Sequence, residues 1–378
     1  ISSPSVKLAM PSELVQRYIS HRYYTQYDEL ESKIEKDFSG MLDAGFANVK
    51  PISGTVANLV AFLCLAARND TIMALSLSCG GHKSYMDFGL AGTLSLKHRV
   101  LPFDEKEWVV DIDALRNRIG EVHPKLVVIG GMTILFPQPI KEIVELAHER
   151  EARVLYDAAH VFGLIVGRNF QNPIEEGVEI MTASTHKTFP GPQGGIVLGK
   201  KEHSVKIKEL MRSIMANEHP FRIPSLAVAL LEMSKFGEEY TAKIVENARA
   251  IGQALHERGF TVACEHKGFT RTHQVVVDVS GLGQSHEIAD LLEKCGILCK
   301  EVMMPRDGLS DSKTPTYPPK SVSGLRLGMA EVTRLGMDTS EMHEIAGLME
   351  RALFKKHDPE KIKGKVRELK KEFSKLQY

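Results

Sequence analysis

The chain has 378 residues, 43% of them hydrophobic and 25% charged, which is enough for two domains with ample cores. Lys and Arg together number 48, as do Asp and Glu, so no global charge draws the protein to nucleic acid or an anionic membrane. No apolar run reaches the ~20 residues a membrane helix needs, and no signal peptide is visible in a chain that opens at Ile1.

In chain order, residues 1–24 read as an N-terminal arm, polar and aromatic, with Tyr18, Tyr23 and Tyr24 close together. Short apolar runs follow, at Thr71 to Leu75, Lys125 to Gly131, Arg153 to Asp157 and Gly195 to Gly199. All four read as buried parallel strands. Between two of them, Ile140, Ile143, Val144 and Ala147 share one helical face. Strand and helix alternating in this way predict an α/β sheet covered on both faces, assigned to a large domain over 25–235.

A long helical stretch from Ser225 to about Arg258 leads into a second, smaller α+β domain over 236–378. Its strand candidates are Gln274 to Val279 and Gly324 to Gly328. An amphipathic helix carrying Ile362, Val366, Leu369, Phe373 and Leu376 closes the chain. The five cysteines, Cys64, Cys79, Cys264, Cys295 and Cys299, lack the CxxC spacing of common zinc sites. They read as free thiols, no metal is expected, and a reducing cytoplasm fits.

The chemistry centres on Thr182 to Gly195, where one lysine, Lys187, follows a β-leaning run and sits among hydroxyls, including Ser184 and Thr185. A lysine amine attacks an aldehyde only when deprotonated, which burial beside another dipole promotes. An ordinary surface lysine in a turn is the competing reading. Asp157 ends the run Val154-Leu155-Tyr156, where an open α/β sheet presents ligand-binding groups. A carboxylate there can hold a proton on a pyridine nitrogen, which together with the lysine points to pyridoxal phosphate. Capping the next helix explains the same aspartate about as well. His160, three residues on, could face the same cavity.

Ser53, Gly54 and Thr55 open an apolar helical run, where free backbone N–H groups and a positive dipole end suit a phosphate. A plain Ser/Thr cap accounts for them too. His82 follows two glycines and offers a flat ring for stacking. Arg326, in Ser323 to Gly328, carries a guanidinium fork that grips carboxylates, although a structural ion pair is as common a use.

Together these motifs resemble the serine hydroxymethyltransferase group of fold-type-I pyridoxal-phosphate enzymes. The resemblance rests on Ser53-Gly54-Thr55, Gly80-Gly81-His82, Asp157-Ala158-Ala159-His160 with Gly163, Thr185-His186-Lys187-Thr188, and Ser323 to Gly328. It implies an aspartate-aminotransferase-like large domain with a mostly parallel sheet plus a smaller C-terminal α+β domain. It also implies that Lys187 is the Schiff-base lysine, Asp157 pairs with the pyridine nitrogen, His82 stacks on the ring and His160 lies near its phenolic oxygen. Ser53, Gly54 and Thr55 would hold the phosphate, with Ser184 and Thr185 also at the cofactor. Arg326 would bind the substrate carboxylate. A homodimer is implied, with Tyr23 or Tyr24 reaching across it.

The family carries Glu-Gly-Tyr-Pro-Gly-Lys-Arg-Tyr-Tyr where this chain has Arg17-Tyr18-Ile19-Ser20-His21-Arg22-Tyr23-Tyr24, shorter and without the acid. Gln193 stands where the family has arginine, and Ala216-Asn217 where it has a glycine pair. These departures weigh against a tetrahydrofolate-type pterin. Thr185 to Gln193, Gly268 to Val275 and Phe354 to Pro359 are similar instead to the threonine transaldolase branch. The implied reaction is aldol cleavage or transfer on a β-hydroxy-α-amino acid through a glycine quinonoid, with amino acids and aldehydes as substrates. True hydroxymethyl transfer in one-carbon metabolism, another pyridoxal-phosphate reaction such as transamination or decarboxylation, and a non-catalytic binding relative are the alternatives.

Overall fold

A computed structural model describes residues 1–10, 13–17, 25–308 and 322–377. In chain order the strands are β1 (Phe46–Asn48), β2 (Thr71–Ala74), β3 (Lys97–Val100), β4 (Phe103–Asp104), β5 (Val109–Val110), β6 (Leu126–Gly130) and β7 (Arg153–Asp157). They continue with β8 (Ile180–Ser184), β9 (Gly195–Gly199), β10 (Thr261–Val262), β11 (Gln274–Asp278), β12 (Lys300–Val302) and β13 (Gly324–Gly328). Seven form the main sheet in the order β1-β9-β8-β7-β6-β2-β3.

Its inner strands are buried on both faces, which explains why they read as short apolar runs, while the edge strand β3 is polar and mostly exposed. Side chains alternate along each strand. Val127, Ile129, Val154, Tyr156 and Met181 face one core, with helices Thr25–Met41, Ile140–His148 and the first half of Arg222–His256. Leu126, Val128, Leu155 and Ile180 face the other, against Gly54–Leu65 and Ser204–Ile214. Each such fully buried aliphatic side chain contributes about 1.5–3 kcal/mol.

Strands β3, β2, β6, β7 and β8 are mutually parallel. Gly195–Gly199 is not a parallel strand: β9 runs antiparallel to both β8 and β1. The cause lies in the connection. A parallel return needs a crossover of a dozen or more residues, usually a helix. Residues 185–194 instead form a turn, closed by the Thr185 amide donating to the Gly194 carbonyl at 3.1 Å.

The second sheet, β10-β11-β13-β12, is antiparallel throughout. Helix Arg222–His256 runs from one core to the other. Its Leu226, Ala229, Met233, Tyr240 and Ile244 pack under the main sheet, while Ala248, Ile251, Ala254 and Leu255 pack under the second. The carboxyl ends of β6, β7 and β8 therefore open towards β11 and β13, and the functional groups gather in that cleft.

One glycine fixes how the lysine turn sits on the sheet. Helix Phe162–Val166 packs so closely on it that a Cβ on Gly163 would lie 2.3 Å from the Thr188 carbonyl carbon and 2.5 Å from the Phe189 nitrogen. Backbone cannot give way as a flexible side chain can. Gly163→Ala is expected to destabilise the protein by about 1–3 kcal/mol, read as a lower urea midpoint. An unchanged midpoint would show that the turn is free to move.

Candidate active site

Lys187 lies three residues beyond the end of β8, and Asp157 is the last residue of the adjacent β7, paired in register with Thr182. Lys187 is half-buried and makes no hydrogen bond or ion pair through its amine among the described residues. Burial pulls its pKa below the ordinary lysine range. Asp157 opposes that shift and Arg326 adds to it. The amine is thus biased towards its neutral, nucleophilic form.

Asp157 is buried and held from three sides. Its Oδ2 accepts from Tyr85 Oη at 2.6 Å and from Asn58 Nδ2 at 2.8 Å, and its Oδ1 accepts from the Ala159 amide at 2.9 Å. Thr182 Oγ1 donates to Asn58 Oδ1 at 2.6 Å and fixes that amide's orientation in turn. A carboxylate has about four lone-pair directions. Three donors occupy three of them and leave one for an N–H from outside. Asp157 does not cap the following helix, whose N-cap is Val161 with no side-chain bond.

His82 begins the short 3-10 turn Lys83–Tyr85, its Nδ1 accepting from the Ser84 amide at 3.2 Å, with Ser84 Oγ at 2.7 Å. Burial lowers its pKa, Asp157 raises it, and Lys187 and Lys83 lower it. Burial and the Ser84 amide donating to Nδ1 favour the neutral ring, which offers a flat face. His160 stacks on His273 with ring centroids 5.9 Å apart and planes 10° from parallel. Burial pushes the His160 pKa well down, and Lys187, Arg326, His273 and His82 all push the same way.

Ser53 is the N-cap of Gly54–Leu65, its hydroxyl accepting from the Val56 amide at 3.2 Å. The Gly54 and Thr55 amides make no hydrogen bond among the described residues. They form the open, positive end of a 12-residue helix. A Cβ on Gly54 would sit 2.5 Å from Ser184 Oγ, so a side chain there would push that hydroxyl away from the helix end. Thr55 is exposed. Thr185 is fully buried and directs its O–H to the Pro192 carbonyl at 2.7 Å, so it braces the turn rather than lining the cradle.

Arg326 sits in β13 opposite Val276. Its Nη1 donates to the Met132 carbonyl, and no carboxylate pairs with it among the described residues. Burial lowers its pKa to about 10. Arg326 is half-buried, and a guanidinium partly withdrawn from water without a counter-ion is unfavourable, a cost that an incoming carboxylate offsets. Tyr23 and Tyr24 lie outside the described residues.

The structure thus brings Lys187, Asp157, His82, His160, Arg326, Ser184 and the Ser53–Thr55 turn to one cleft. Sequence reasoning assigned no role to Asn58, Tyr85, His273 or Gln274. Asn58, a polar residue within an apolar helical run, was the one with a visible signal. The donor set fits pyridoxal phosphate: an anion cradle at one end, a carboxylate with a free acceptor direction for a ring N–H, and a neutral-leaning lysine between.

Fold and site together define a fold-type-I pyridoxal-phosphate enzyme. The serine hydroxymethyltransferase family profile matches residues 10–349. A serine hydroxymethyltransferase of Thermococcus onnurineus is 42% identical over 390 aligned positions, covering all of this chain and 90% of that protein. One from Methanopyrus kandleri is 41% identical, covering all of this chain and 89% of its own. A crystal structure of L-threonine transaldolase from Pseudomonas fluorescens, in its internal aldimine state, superposes with a TM-score of 0.88. It is 26% identical over 98% of this chain and 85% of the other. The chain belongs to the serine hydroxymethyltransferase family.

Proposed function

We propose that this protein carries out pyridoxal-phosphate-dependent aldol chemistry on a β-hydroxy-α-amino acid of the serine or threonine type. The observation that carries it is the Arg326 guanidinium, paired with no carboxylate among the described residues, in the same cleft as Lys187 and Asp157. Such a cleft takes an amino acid by its carboxylate and works at its Cα.

Bound pyridoxal phosphate supplies the electron sink for the carbanion left at Cα. The chain's own residues do the rest. The Gly54–Leu65 helix end and Ser184 anchor the phosphate, with Ser53, Gly54 and Thr55 at the turn. Asp157 keeps a proton on the ring nitrogen, held to that task by Asn58 and Tyr85. Lys187 would hold the cofactor through its amine, and the same amine would hold or return a proton at Cα. His82 presents its ring face, and His160 donates a hydrogen bond. Arg326 sets the amino acid's orientation, and so decides which bond at Cα stands ready to break.

The family and the transaldolase neighbour do not favour transamination or decarboxylation. A second reading, transfer of the one-carbon unit to a tetrahydrofolate-type pterin, is supported by the names of the relatives at 41–42% identity. Incubating the holoenzyme with L-serine and L-threonine tests the proposal. Aldehyde release is the expected result, and an α-keto acid product would overturn it. Adding tetrahydrofolate or a second aldehyde then identifies the acceptor.

Arg326→Lys is expected to raise KM for the amino acid at least about tenfold, since an ammonium cannot reproduce the bidentate fork. A steady-state KM unchanged from wild type would remove Arg326 from the substrate site.

The same reading takes the protein as a homodimer acting on small molecules in the cytoplasm, with Tyr23 or Tyr24 completing the partner's site. Its domains divide along helix Arg222–His256 into 25–235 and 236–378, after an arm over 1–24. Five free thiols support a reducing compartment. Among the described residues no helix is long and apolar enough to cross a membrane.

A further inference from the structure

Gln274 opens β11 and is fully enclosed, yet every polar atom of its amide is used. Its Oε1 accepts from the Ile134 amide at 2.8 Å. Its Nε2 donates to the Met132 carbonyl at 2.9 Å and to His160 Nδ1 at 3.1 Å. The orientation is therefore determined. A flipped amide would set N–H against the Ile134 N–H and oxygen against the Met132 carbonyl, two repulsive contacts in a buried site. Nε2 must face His160, and Nε2 can only donate.

His160 Nδ1 consequently has to accept. A neutral imidazole that accepts at Nδ1 carries its proton at Nε2. Protonating Nδ1 would place two N–H groups against each other. The surroundings act in the same sense: burial and the basic groups Lys187, Arg326, His273 and His82 all oppose a charge on His160, and no acid is among them. The Met132 carbonyl also accepts from Arg326 Nη1, so the group that orients His160 shares an anchor with the carboxylate-binding arginine.

We propose that Gln274 is a positioning residue that locks His160 as the neutral Nε2–H tautomer, a fixed hydrogen-bond donor in the cleft. The proposal rests on the functional reading above for what that donor serves, but the tautomer itself does not. Across the working range of the enzyme His160 then donates one hydrogen bond and neither gains nor gives up a proton. A proton needed at Cα then has to come from another group, the role the functional reading gives to Lys187.

The test is nitrogen-15 NMR of the full-length holoenzyme labelled at histidine, with His160 assigned by the signals lost in His160→Gln. Wild type is expected to show an unprotonated Nδ1 and a protonated Nε2 unchanged from pH 6 to 9. Gln274→Glu replaces the donor by a near-isosteric acceptor. It should move the proton onto Nδ1 and raise the midpoint of His160 protonation by at least about one pH unit. Gln274→Met removes the donor without supplying an acceptor and should give a mixture of both neutral tautomers. The absorbance of bound cofactor should acquire a new pH dependence in the Glu variant. A protonated Nδ1 in wild type, or His160 signals unmoved in both variants, would overturn the proposal. If the protein bound no pyridoxal phosphate, the functional reading would fail while the nitrogen signals still reported the tautomer.

Discussion

Lys187→Ala is expected to lower aldol cleavage by roughly four orders of magnitude and to remove the visible absorbance band of the bound cofactor. Two losses combine. The variant has no amine to bond the cofactor covalently, and none to exchange a proton at Cα. The size of the effect follows from the surroundings of Lys187, where the neighbouring cleft groups among the described residues are the Arg326 guanidinium and the His82 and His160 rings, whose burial disfavours their charged forms. Folding should be nearly untouched, because the Lys187 amine makes no hydrogen bond that its removal would orphan among the described residues. Activity and the visible spectrum, measured alongside a urea midpoint, check both halves. The sign of the pH dependence follows as well. Burial favours the neutral amine, so its free form becomes available below the pH at which an exposed lysine would deprotonate.

Asp157→Asn is expected to cost both rate and stability, unlike Lys187→Ala. Three donors converge on the carboxylate: Asn58 Nδ2 and Tyr85 Oη on one oxygen, the Ala159 amide on the other. An asparagine must aim its own NH2 at one of these two groups. One buried N–H is left facing another, at a cost of about 1–3 kcal/mol. The negative charge that keeps the ring nitrogen protonated is lost as well, and turnover should fall on the order of 100-fold or more. Asp157→Glu keeps the charge but displaces it by one methylene, so its loss should fall mainly on kcat. Near-normal kcat in Asp157→Asn would place the charge outside the chemistry.

The inner strands β2, β6, β7 and β9 were legible because they are buried, which writes each as a short apolar run; the edge strands β1 and β3, the latter polar and exposed, carried no such sign. The direction of β9 was not legible, since an apolar pentapeptide carries no sign of which way it runs. The turn at 185–194 carries that information, through a backbone bond between Thr185 and Gly194. Lys187 and Asp157 stood out in the sequence as a lysine just beyond a β-leaning run and an acid closing an apolar one, and the fold sets the two on neighbouring strands. The groups that hold them were hidden. Asn58 and Tyr85 lie 99 and 72 residues from Asp157 in sequence, and Gln274 lies 114 from His160. Only the folded sheet order brings such pairs together. Thr185 shows the opposite case, a hydroxyl beside the key lysine that turns away to brace its own loop.

The proposed chemistry depends on one lysine holding the cofactor. Reducing the holoenzyme with borohydride fixes pyridoxal phosphate covalently to whichever amine carries it, and peptide mass mapping locates that amine. A phosphopyridoxyl group on Lys187, in near-stoichiometric amount and absent from Lys187→Ala, is the predicted result. The same label on any other lysine, or none after saturation with pyridoxal phosphate, would contradict it.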